Sequence, residues 1–105
     1  GVEMALRVEE EESGRRLRIA VEGQFTFGLY REFLDAIDQC GDDVKLVTID
    51  LEKTEYIDSA ALGLLILAEH RLSGCKTLLR VCKGSIAEEV LTVTNFEKLF
   101  AIEAA

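Results

Sequence analysis

One stretch limits what this chain can become more than any other: an apolar run, a short polar connection, and a helix start marked by Asp58 and Ser59. The run from Val44 to Leu51 carries Val44, Leu46, Val47, Ile49 and Leu51. Apolar residues on both faces of a strand predict a central strand covered on both sides. Glu52 to Ile57 reads as the connection, and Ser59 to Leu72 as a helix closed by Gly74. Asp58 and Ser59 therefore stand where a strand has ended and a helix begins. The first N–H groups of a helix lack partners and the local field is positive, so Asp and Ser are suited to cap it. A phosphate is also well tolerated there.

The helix itself is unusual. From Ala60 to Ala68 every residue is apolar or glycine, so its first two turns have no polar face. A surface helix normally has one. Either neighbouring segments cover it on all sides, or part of it is exposed and docks a partner. Gly63 costs ~1 kcal/mol relative to alanine inside a helix. It allows close approach, either of this helix to its own sheet or of another chain to the helix.

The rest of the chain supplies a frame. Met4 to Val8 reads as a weak strand, and the run Glu9-Glu10-Glu11-Glu12 as a solvated turn. Arg16 to Gly23 alternates, with Leu17, Ile19 and Val21 on one face, and predicts the second arm of an antiparallel hairpin. Gln24-Phe25 form a short loop and Thr26 a candidate cap. Tyr30, Phe33, Leu34 and Ile37 recur at helical spacing, and the helix ends near Gly41. Thr77 to Cys82 is a further strand. Ser85-Ile86-Ala87-Glu88 is a capping box, opening a helix whose buried stripe is Ile86, Val90 and Val93. Phe96, Leu99, Phe100 and Ile102 form a short final helix or strand. The alternation predicts an α/β fold: one domain over residues 1–105, with a mixed, mostly parallel sheet of four to five strands and three to four helices. Gly1 to Glu3 read as a leftover extension ahead of Met4. Functional loops gather beyond the carboxyl ends of such strands. Here those are Gly23 to Phe27, Thr54 to Ser59 and Lys83 to Ser85.

Charge and composition narrow the function. Twenty acidic and twelve basic residues give a net charge of −8, which argues against binding a phosphate backbone, so no nucleic-acid partner is expected. No apolar run approaches the ~20 residues of a membrane span. The three cysteines, Cys40, Cys75 and Cys82, make an odd count without a Cys-x-x-Cys pair, as in a reduced, cytoplasmic protein. No motif asks for a metal or another cofactor. An enzyme using Ser59 would need a base, and the single histidine, His70, lies roughly 16 Å along the helix at 1.5 Å per residue. That is beyond hydrogen-bond reach, so no catalytic residue is assigned.

Asp50-Leu51-Glu52-Lys53-Thr54-Glu55-Tyr56-Ile57-Asp58-Ser59-Ala60-Ala61-Leu62-Gly63-Leu64-Leu65 resembles the signature of STAS domains, in particular the bacterial anti-sigma factor antagonists. The resemblance extends over essentially the whole chain and implies the STAS-like fold. It also implies a partner switch. The serine after the aspartate is the family's phosphoacceptor, which maps to Ser59. A kinase-type anti-sigma factor, a serine kinase of the histidine-kinase-like ATPase type, would phosphorylate it, and a PP2C-type phosphatase would reverse the step. Expected partner contacts are Phe25, Thr26, Phe27, Asp58, Ser59, Ala60, Ala61, Leu62, Gly63, Leu64, Gly84 and Ser85. Two positions depart from the family pattern: Ala60 stands where Ser or Thr is frequent, and Ala61 where Gly is usual. The alternative is a STAS adaptor, scaffold or transporter-regulating module that never carries phosphate.

Overall fold

The computed structural model describes residues 4–105, so the reading of Gly1 to Glu3 as an extension lies outside the described residues. Strand β1 (Met4–Glu11) pairs antiparallel with β2 (Arg16–Phe25). The first strand is longer than expected, because Glu9 to Glu11 belong to it and only Glu12 lies in the turn. Register explains this: Glu9 faces Arg18 and Glu11 faces Arg16, and opposite charges across a strand pair are favourable. The turn is tight, with Glu12, Ser13 and Gly14 all at positive φ.

Gln24 and Phe25 continue β2 rather than forming a loop. They do so because the presumed connection contains a strand, β4 (Thr54–Ile57), which pairs parallel with the end of β2. A bulge at Gly23, φ 80°, lets β2 change partners there from β3 (Leu46–Asp50) to β4. Thr26 caps a 3-10 turn at Phe27–Leu29 that runs into α1 (Tyr30–Asp38). The remaining elements are α2 (Ser59–Arg71), β5 (Lys76–Val81), α3 (Ile86–Val93), a 3-10 turn at Phe96–Lys98 and β6 (Ala101–Ala104). The sheet order is β1-β2-β3-β5-β6 with β4 beside β2, antiparallel only at β1. The final segment is thus both a helical turn and a strand, and the sheet has six strands where four to five were expected.

Every parallel crossover steps the same way across the sheet. Right-handed connections therefore put α1, α2 and α3 on one face. On that face Ile19, Val47, Ile49, Leu79 and Val81 are fully buried with Phe25, Phe33, Leu65 and Leu91. The opposite face is open, so the expectation of a central strand covered on both sides does not hold. Its outward positions are Leu46, Thr48 and Asp50, and only Asp50 is buried, beneath ion pairs. Three charge chains cross that face: Glu9–Arg18–Asp50, Glu52–Arg80–Glu103 and Arg7–Glu22–Lys53.

Two helix faces also differ from expectation. Tyr30 is exposed, so the buried stripe of α1 begins at Phe33. In α3 the residues that face inward are Ala87 and Leu91; Ile86 and Val93 face solvent, Val93 at 70% exposure. The small Ala87 side chain lets α3 lie close against β4.

Candidate functional site

Strand β4 ends at Ile57, and the chain turns at Asp58 into α2. Asp58 caps the helix: its Oδ1 accepts from the N–H of Ala61 at 2.8 Å. Its Oδ2 accepts from the N–H of Phe27 at 3.2 Å, tying the end of β2 to the start of α2. Both carboxylate oxygens are thereby engaged, and Ser59 is left without a capping role. Ser59 is the first residue of the helix, exposed, and among the described residues its hydroxyl has no hydrogen-bond partner. The choice between Ser59 as cap and Ser59 as displayed hydroxyl falls to the second.

The apolar helix is neither fully covered nor fully exposed. Ala61, Leu64, Leu65 and Ala68 face the core, Ala60, Leu62 and Leu67 are half-buried, and Ser59, Gly63, Ile66 and His70 form one exposed stripe at helical spacing. Ile66 is 48% exposed. A Cβ added at Gly63 would meet nothing within 4 Å, so the glycine is not needed for packing on its own sheet. Beside the start of α2 stand Phe27, 66% exposed, and Tyr30, their rings stacked at 5.6 Å. Tyr56, also exposed, lies two residues before Asp58.

Of the expected contact residues, Phe27, Ser59 and Gly63 are exposed, and Thr26, Asp58, Ala60 and Leu62 are partly so. Phe25, Ala61 and Leu64 are buried and support the surface from beneath. The third loop is built as a cap: the N–H of Glu88 bonds to Ser85 Oγ at 3.1 Å, and Glu88 Oε1 accepts from Gly84 at 2.8 Å. Gly84 is exposed at φ 81° and Ser85 is partly buried. This loop joins the first two through the packing of α3 on β4. Tyr30, Tyr56 and Ile66 were not anticipated on the surface. The signal for Ile66 was the absence of a polar face over Ala60 to Ala68.

Among the described residues, no helix is long and apolar enough to cross a membrane, and no three His, Cys, Asp or Glu side chains converge as metal ligands. A family model described as STAS domain matches residues 7–105. A STAS-domain containing protein of Pseudomonas aeruginosa strain UCBPP-PA14 is 32% identical over 101 residues, covering 94% of this chain and 99% of that protein. An anti-sigma factor antagonist from Mycobacterium paratuberculosis has a similar structure, with TM-score 0.77 and 16% identity over 96% of this chain and 86% of that one. The anti-sigma factor antagonist SpoIIAA in its unphosphorylated form gives TM-score 0.69 at 18% identity, covering 96% of this chain and 89% of that one. The phosphorylated form of the Bacillus protein gives 0.66 at 18% identity, covering 96% and 91%. At these identities the structural likeness shows the fold alone.

Proposed function

The chain belongs to the STAS domain family, and from that premise we propose that it is an anti-sigma factor antagonist switched by phosphorylation of Ser59. Unmodified, it binds a kinase-type anti-sigma factor of the histidine-kinase-like ATPase class and so releases a transcription factor. That kinase transfers phosphate from ATP to Ser59, and a PP2C-type phosphatase removes it. All of this takes place in the cytoplasm, and the domain itself is a binding protein, not an enzyme. The observation that carries the reading is the division of labour at the helix start: Asp58 caps, while Ser59 is exposed, unbonded and adjacent to the stripe of Gly63 and Ile66.

The physics of the switch follows. Phosphorylation adds about −1.5 to −2 charges at pH 7. A partner seated on Ser59, Gly63 and Ile66 would have to bury that charge, and an uncompensated buried charge costs several kcal/mol. Each ~1.4 kcal/mol is tenfold in affinity, so one phosphate releases a micromolar partner. The test is incubation of the purified chain with its kinase and ATP, followed by intact-mass measurement. A single added phosphate, absent from Ser59→Ala, is expected. Phosphate retained in Ser59→Ala places the acceptor elsewhere. An adaptor that never carries phosphate would show partner binding unchanged by Ser59→Asp.

A further inference from the structure

The opposite end of the molecule carries a second, unrelated feature. Strands β2, β3 and β5 begin side by side there. The carbonyl of Arg15 accepts from the N–H of Lys45 at 2.7 Å, and the carbonyl of Lys45 accepts from the N–H of Lys76 at 3.0 Å. Lys76 is in register with Leu46 and Arg16, one position on from Lys45, and with neighbouring strands about 4.8 Å apart the three strand starts bring Arg15, Lys45 and Lys76 to the same end of the sheet. With Arg16, Ser73 and Gly74 they line an open depression of about 720 Å³, within the size range of small-molecule sites. Its lining holds a single carboxylate, Glu12, which is already paired with Arg16 at 3.3 Å. Among the described residues Arg15, Lys45 and Lys76 have no ion pair.

This placement runs against the rest of the molecule. The chain has twenty carboxylates and a net charge of −8, yet a third of its twelve basic residues surround one concavity. On the open sheet face Arg7, Arg18 and Arg80 each meet a glutamate or aspartate; in the depression, among the described residues, only Arg16 does. Asp38, on the nearby end of α1, is held by Arg71 at 3.0 Å, and Asp42 lines an adjoining, smaller cavity that shares Gly74 and Cys75 with the depression but none of its cations. A concave surface lined by one sign of charge focuses its field and attracts the opposite charge.

We propose that the depression lined by Arg15, Arg16, Lys45, Lys76 and Ser73 is a binding site for a small ligand carrying two or more phosphate-type charges. The cations neutralise the ligand, Arg16 exchanges its pairing with Glu12 for a charge-assisted bond, and the Ser73 hydroxyl donates. The site lies beyond the far end of α2 from Ser59 and does not depend on the phosphorylation proposed there.

The test titrates the purified, nitrogen-15-labelled 105-residue chain with inorganic pyrophosphate, against sodium chloride at matched ionic strength. Saturable amide shifts confined to Arg15, Lys45, Leu46, Gly74 and Lys76 are expected, with a dissociation constant below about 1 mM. The pair of changes Lys45→Gln and Lys76→Gln, both on exposed side chains, should weaken binding tenfold or more, while Lys98→Gln leaves it unchanged. Sedimentation with cardiolipin vesicles, whose headgroup carries two phosphates, against phosphatidylcholine vesicles, distinguishes a lipid headgroup from a soluble phosphate compound. Sedimentation lost in the double variant assigns the headgroup, and pyrophosphate binding alone assigns a soluble ligand. The proposal is overturned by shifts that chloride reproduces, by binding that survives the double variant, or by no binding in either arm.

Discussion

Asp58 and Ser59 are neighbours with opposite duties, and the difference is measurable. Removing the Asp58 carboxylate by Asp58→Ala leaves the N–H groups of Ala61 and Phe27 without their acceptor. Loss of a cap costs about 1 kcal/mol, and the second bond brings the expected loss in urea unfolding to about 1–2 kcal/mol. Ser59→Ala, by contrast, should leave stability within about 0.5 kcal/mol, as for a surface change that removes no bond. The helix start at Asp58 and Ser59 was legible in the sequence because capping is local, but which of the two caps was left open there. Asp50 was not legible, because its partner Arg18 is thirty-two residues away. Asp50 is 4% exposed, accepts from Arg18 Nε at 2.8 Å and from the N–H of Glu52 at 2.9 Å, and holds the Arg18 guanidinium above its ordinary pKa. Arg18→Ala should therefore cost about 3 kcal/mol, the low end for a broken buried pair because water reaches Arg18, and Arg18→Leu with Asp50→Leu should recover most of it. Cys40 offers a pH test. Burial first, then the neighbouring Cys75 and Asp38, push its thiol up to about 11 from the usual 9.0. The folded state favours the neutral thiol, so its contribution is complete below the unfolded value and is lost as pH rises through the folded one. The stability difference between wild type and Cys40→Ala, read from urea midpoints, should hold up to pH 9.0 and shrink towards pH 11.

At the scale of elements, α2 shows a fold and a function pulling apart. Gly63 lies mid-helix with open space around it. Gly63→Ala should stabilise the domain by up to ~1 kcal/mol through helix propensity alone. If a partner approaches along the stripe, the same methyl should weaken its binding, and measuring both on one variant separates the effects. Gain of stability with unchanged affinity would place the partner elsewhere. The helices and the longer strands were readable because their apolar periods were long. Strand β4 was missed because it has four residues, two of them exposed, and acquires its identity from pairing with distant Gln24 and Phe25. For α3 the period was right but the phase was wrong. Ile86 and Val93 outweigh Ala87 in hydrophobicity, yet close packing against β4 requires the small residue.

Across the whole molecule, the layering separates what can change from what cannot. All three helices lie on one face of the sheet, and the core sits between the layers. The other face is held by ion pairs instead of a second helical layer, which an apolar run such as Val44 to Leu51 could not reveal. Ser59 stands at the carboxyl ends of the strands, outside that core, where a new charge displaces no buried group. An acidic residue in the first turn of a helix is favoured by ~0.3–1 kcal/mol. Asp58 beside it opposes this, but its own carboxylate is occupied by two N–H groups. Ser59→Asp should then change unfolding free energy by no more than about 0.5 kcal/mol, which is only a few degrees in melting temperature for a domain of this size. Its amide shifts should be confined to the start of α2 and the Phe27 turn. Loss of partner binding in such a variant reports surface charge and not unfolding. A drop of more than ten degrees would mean instead that the hydroxyl is part of the fold's support, and the switch would have to act by loosening the domain.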